Sequence, residues 1–148
     1  MMVYPSRAVG DAVRLYAETL DVPYGEYIAS VLAERFGHPY WAAPEVRQVD
    51  GGLASMIRDA NIPRHEPAAD SWDDRDVFVT KPVKALGTII RDFAAREGKT
   101  LTRVITDELA LFHGIDQENR IVLGKAVAEE VEVVHDKKRK REVLRLMA

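Results

Sequence analysis

The chain has 148 residues, 47% of them apolar and 30% charged, with a net charge of −3 and no cysteine. That length and apolar share allow one compact domain or two very small ones, and a single core. The missing cysteines exclude a disulfide framework, a thiolate metal cage and a cysteine nucleophile, and the negative total excludes nucleic-acid binding through bulk positive charge.

Any such binding must come from a local concentration of basic residues. Residues 1–38 carry three basic and five acidic side chains, 39–75 four and seven, 76–114 six and five, and 115–148 eight and seven, so the basic parts are the last two. No segment approaches a membrane span, and the N-terminus lacks the charged-then-apolar pattern of a secretory signal. A cytoplasmic protein with no membrane partner is therefore expected.

Met1-Met2-Val3-Tyr4 ahead of Pro5 allows a strand of at most four residues. Apolar residues at helical spacing follow, Val9, Ala12, Val13, Tyr16, Ala17 and Leu20, and then a second stripe, Tyr24, Tyr27, Ile28, Val31, Leu32 and Phe36, with Val22-Pro23 marking the break and Gly37 the end. Residues 39–75 read as a linker rich in Pro, Asp and Gly, pinned by Trp41 and Trp72, with one short helix predicted from Leu53 to Ala60 between Gly51-Gly52 and Asn61-Ile62-Pro63.

The β-branched and aromatic run Asp76-Val77-Phe78-Val79-Thr80-Lys81 predicts a second strand ending at Pro82, where a helix can begin. Leu86, Ile89, Ile90, Phe93 and Ala94 form its stripe, and Leu101, Val104, Ile105, Leu109 and Phe112 that of the next helix. Between them Gly98 suits a left-handed cap and Thr100 an N-cap, and Gly114 closes the hairpin. Beyond it, Leu123, Val127, Val131 and Val134 keep helical phase within 121–146, although Val131-Glu132-Val133 reads equally as strand.

These elements occur twice. Pro5 to Gly37 aligns without a gap with Pro82 to Gly114 at a constant offset of 77, with nine identical pairs, among them Gly10/Gly87, Arg14/Arg91, Ile28/Ile105 and Leu32/Leu109. Spacing, turn and apolar phase were retained together, which predicts a duplicated unit pairing with itself about a pseudo-twofold axis. Neither short strand could persist alone, but two paired over four helices would be covered.

A strand, a proline, an amphipathic helix, a tight turn and a second amphipathic helix in this order resemble the ribbon-helix-helix family, the Arc and MetJ superfamily. Residues 77–109 match better than the first copy, and two units in one chain resemble the tandem form of TraY-type accessory proteins of plasmid conjugation. The resemblance implies a mainly α fold with a short two-stranded antiparallel β-ribbon, built as a tandem pseudo-dimer. Its parts would be a first unit over 1–38, the linker over 39–75, a second unit over 76–114 and a charged helical tail over 115–148.

It also implies a partner, double-stranded DNA, and a role as repressor or nucleoprotein accessory factor of plasmid, phage or bacterial origin. A two-stranded ribbon fits the major groove, and alternation leaves one face free to read bases. Val79 and Lys81 share that face, with Tyr4 the counterpart of Lys81 at the repeat offset, while Phe78 and Thr80 turn inward. Phosphates would be gripped at the start of the second helix by Thr100, Leu101 and Thr102, assisted by Lys99. In the first copy Pro23 replaces Thr100 and removes a donor, so that copy is expected to be mainly structural and the recognised site not perfectly twofold.

Other readings stay open. A duplicated hairpin without a ribbon would form an all-helical bundle, and a protein-interaction module, antitoxin-like or adaptor-like, could use the helical core and the tail without DNA. The run Lys137-Lys138-Arg139-Lys140-Arg141 reads as a phosphate-binding arm, or, among Glu129, Glu130, Glu132, Asp136 and Glu142, as a solvated helix laced with ion pairs. Residues 121–148 could also pair two chains as a homodimer. His38, His65, His113 and His135 lack metal-ligand spacing, Gly51-Gly52 lacks the lysine of a phosphate loop, and Asp70, Asp73 and Asp74 lack calcium-loop spacing. No nucleophile has a partner base, so no metal, no cofactor and no enzymatic activity are expected.

Overall fold

The computed structural model describes residues 1–63, 71–73 and 75–115. Residues 116–148 of the tail, with its predicted helix and basic run, and Asp70 and Asp74 of the acidic cluster lie outside the described residues. In chain order the elements are β1 (Met2–Val3), α1 (Arg7–Leu20), α2 (Tyr24–Arg35), a 3-10 turn (Pro39–Trp41), α3 (Pro44–Arg47), α4 (Gly52–Ala60), β2 (Phe78–Val79), α5 (Lys84–Glu97) and α6 (Leu101–His113). The fold is mainly helical with one two-stranded antiparallel sheet, β1 beside β2.

The register makes the internal symmetry explicit. Met2 pairs with Val79 and Val3 with Phe78. Met2 and Val79 are also equivalent in the repeat, so a pseudo-twofold axis passes between them. The same axis relates two ring contacts: Tyr16 meets His113 edge-on at 4.5 Å, and their equivalents Phe93 and Phe36 meet edge-on at 5.5 Å. It also relates two strand-to-helix contacts. Phe78 Cε2 lies 3.7 Å from where a Cβ on Gly10 would sit, and Met1 Cε lies 3.5 Å from the same point on Gly87. Residue i of one copy meets j of the other and j meets i, which is the signature of an isologous interface folded into one chain.

Each strand therefore rests on the helices of the opposite copy, β1 against α6 and β2 against α2. α2 and α6 cross at the centre, where Tyr27, Ile28, Leu32, Ile105 and Leu109 are fully buried. Both copies feed one continuous core, so the two units share a single domain. Tyr27 Oη lies 3.0 Å from His113 Nε2, and burial pushes the phenol pKa up. Arg35 donates to Glu108 at 2.8 Å across the same crossing, a pair that the repeat does not duplicate.

Turn chemistry follows the sequence in most places. Gly98 and Gly114 cap α5 and α6 in the left-handed region, and Thr100 Oγ1 accepts from the Arg103 N–H at 3.1 Å. Where the second copy uses Gly98, the first uses Asp21 at φ 60°, a residue that tolerates that region when its neighbours require it. Pro82 stands earlier than predicted: Val83 is the cap of α5 as Ser6 is that of α1, and Pro5 and Pro82 fix the extended entry that carries each strand into its helix. Thr100→Ala should cost about 1 kcal/mol through loss of the cap, lowering Tm by roughly 3 °C. A thermal melt checks this.

Among the described residues, 39–60 are more structured than a pinned linker. The 3-10 turn, α3 and α4 wrap the first copy: Ala42, Ala43, Val46 and Leu53 enter the core, and the Ala43 N–H donates to Ser30 Oγ at 3.0 Å while that hydroxyl donates to Glu26 O. Trp41 stacks on His38 at 4.2 Å. The predicted short helix is α4, one residue longer at its start.

Candidate nucleic-acid interface

The ribbon has two faces of opposite character. Val3 and Thr80 are fully buried and Phe78 nearly so, whereas Met2 is 56% exposed and Val79 53%. Lys81 and Tyr4 are also exposed. The alternation predicted for β2 holds, with Val79 and Lys81 outward. Thr80 is a polar residue turned inward, and its hydroxyl donates to Gly25 O at 2.8 Å, which satisfies it.

Sequence reasoning missed two outward residues, Met2 and Val77. The signal for Met2 was present in the repeat, since Met2 is the equivalent of Val79. With Tyr4, Val79 and Lys81 they make a ribbon surface that is apolar along its length, with a phenol at the end of β1 and an ammonium at the end of β2. Lys81 makes no ion pair among the described residues.

The start of α6 lies beside β1, with Thr102 Oγ1 3.5 Å from the Met2 carbonyl. Leu101 and Thr102 stand in its first turn, whose N–H groups have no intrahelical acceptors. Two cations gather there, but both are held by Asp107: Lys99 Nζ at 3.1 Å and Arg103 Nε at 3.0 Å. Arg103 also lies over the Trp72 ring at 5.4 Å, and Arg75 covers the same ring at 5.2 Å. Arg75 donates to Tyr4 O at 3.0 Å, and the Arg7 N–H donates to Ser71 O at 2.8 Å. The residues before β2 thus run past the end of β1, with Arg14 pairing to Asp76 behind them. Arg75, Arg103 and Asp107 were not singled out from sequence, because Trp72 brings together Arg75 and Arg103, 28 positions apart.

The opposite flank differs. The cap of α2 is Pro23, which has no N–H, and Glu26 stands in the first turn. Beside β2 lies a cleft of about 350 Å³ floored by Gly25 and Ala29, walled by Trp41, Pro44 and Val83, with Arg47 and Lys81 on its rim. The Lys99 to Thr102 group and the ribbon residues are therefore brought to one side of the molecule, whereas Lys137 to Arg141 lie outside the described residues.

Among the described residues, no group of His, Asp or Glu side chains is placed to hold a metal ion, and no helix is long and apolar enough to cross a membrane. Comparison with protein-family models, with curated proteins and with solved structures finds no match.

Proposed function

We infer that the protein is a sequence-specific DNA-binding protein of the ribbon-helix-helix type, a repressor or nucleoprotein accessory factor that inserts its ribbon into the major groove and performs no chemistry. The observation that carries this reading is the intrachain ribbon: two antiparallel strands, centred on a pseudo-twofold axis, with one face on the helices and the other open. A duplex has local twofold symmetry, and a groove about 12 Å wide accepts two strands about 4.8 Å apart. On this reading Lys81 meets guanine, and the start of α6, with Arg103 and Lys99, meets phosphate.

Grip on the backbone is one-sided, since Pro23 and Glu26 remove a donor and add a negative charge on the other flank. Duplex binding should weaken as salt rises, with a shallow slope because few phosphates are neutralised. Lys81→Ala should reduce discrimination between a selected site and random duplex by about tenfold while changing the salt slope by no more than about one. Fluorescence anisotropy over a salt series measures both. The apolar outward face and the adjoining cleft favour a second reading, a protein-interaction module; absence of duplex binding even at low salt, with a stoichiometric protein complex, would select it.

A further inference from the structure

We propose that the duplex this ribbon accepts carries thymine methyl groups at the centre of the contacted groove and a guanine on one side only, that of Lys81. The proposal rests on the reading of the ribbon as a groove-inserted element and specifies what that element can read.

Met2 and Val79 form the central outward pair. The neighbouring pair, Met1 and Thr80, exchanges both backbone bonds, with Met1 N to Thr80 O and Thr80 N to Met1 O each 2.9 Å. Met2 and Val79 are therefore a non-hydrogen-bonded pair, in which facing side chains come closest. Val77 at 46% exposure and Tyr4 at 40% extend the same surface. No amide, carboxylate or aliphatic hydroxyl stands on it, because Thr80 is turned inward and used by Gly25.

The C5 methyl of thymine is the largest apolar group on the major-groove base edges, which otherwise present mainly donors and acceptors. An apolar pair pressed against guanine, cytosine or the adenine amino group would strip water from polar atoms and return nothing. Against thymine methyls the same burial is favourable, and the thioether of Met2 is flexible enough to adapt to either neighbour. The axis between Met2 and Val79 directs the two side chains to bases on opposite strands.

Charge distinguishes this partner from an apolar protein surface. Cations border the apolar centre on both sides: beside β1 stand Arg75 with Arg103 and Lys99, which share one carboxylate, Asp107, and beside β2 Arg47 and Lys81 line a cleft that also holds one carboxylate, Glu26. The outer contacts are not symmetric. Outward residues on a strand recur about every 6.8 Å, close to two base pairs. Lys81 reaches a base about two steps from the centre, and its repeat equivalent is Tyr4, whose phenol has no bidentate match to guanine.

The test uses the full chain and a pool of short duplexes randomised at their centre. Sequences retained at low salt should show A·T pairs at the middle and a guanine preference on one side. The best duplex is then remade with deoxyuridine replacing thymidine in the central steps, which removes only the methyl groups. Affinity should fall about fourfold per contacted methyl. With Val79→Asn the difference between the two duplexes should shrink. Equal affinity of the wild-type chain for the thymidine and deoxyuridine duplexes, or a G·C centre in the selected sequences, overturns the proposal and leaves DNA binding standing. No duplex retained at any salt overturns both.

Discussion

Gly25→Ala should destabilise the fold by about 2–3 kcal/mol, where a glycine-to-alanine change at an ordinary helical position would gain up to about 1 kcal/mol. A Cβ built on Gly25 stands 2.2 Å from the Val79 carbonyl oxygen and 3.3 Å from its carbon. The obstruction is backbone, so no rotamer change relieves it. β2 must lift from the first turn of α2, and the 2.8 Å bond from Thr80 Oγ1 to Gly25 O is stretched as it does. The ribbon is held to the helices at few points, since each strand has only two residues in ladder geometry. Lifting one therefore weakens the whole sheet. A fall of roughly 6–10 °C in Tm is the expected reading, with duplex binding lost in parallel. A neutral or raised Tm would mean that β2 does not press on α2 at this point.

Phe78→Ala and Val79→Ala should separate stability from recognition. Phe78 is 5% exposed, packs beside Gly10 and meets the Tyr24 ring edge-on at 5.4 Å. Its truncation leaves a cavity between β2 and the first copy and should cost about 3–5 kcal/mol. Its neighbour Val79 is 53% exposed, so truncation should cost about 0.5 kcal/mol or less while removing half of the central outward pair. Urea unfolding of the two variants measures the difference directly. Comparable losses would contradict the face assignment on which the proposed function of the ribbon depends.

Much of this arrangement was legible in the sequence. A gapless repeat can be read because each copy keeps its own helical periodicity, and local pattern is enough to show where apolar faces lie. The direction of Phe78, Val79, Thr80 and Lys81 followed from strand alternation alone. Thr100 and Gly98 were readable because caps are local devices. The short helices of 39–47 were not, since Ala42, Ala43 and Val46 hold them through burial against α2 and a bond to Ser30, with little help from propensity. Gly25 looked like a weak helix former. Its need for a bare Cα comes from a carbonyl 54 residues away.

The candidate interface divides in the same way. Lys81, Val79, Tyr4 and the start of α6 could be named from pattern and repeat. That Lys99 and Arg103 share Asp107, and that Trp72 lies against both Arg75 and Arg103, depended on how the segment before β2 passes β1. By itself the sequence determined the duplicated strand-helix-helix unit, the apolar faces of its helices, the alternation along β2 and its single core, because these follow from periodicity within each copy. Tertiary structure alone decided which strand lies on which helix, that the pseudo-axis passes between Met2 and Val79, and that the open face is apolar with cations at its borders. Those features arise from contacts between residues distant in the chain, whose energies no local pattern records.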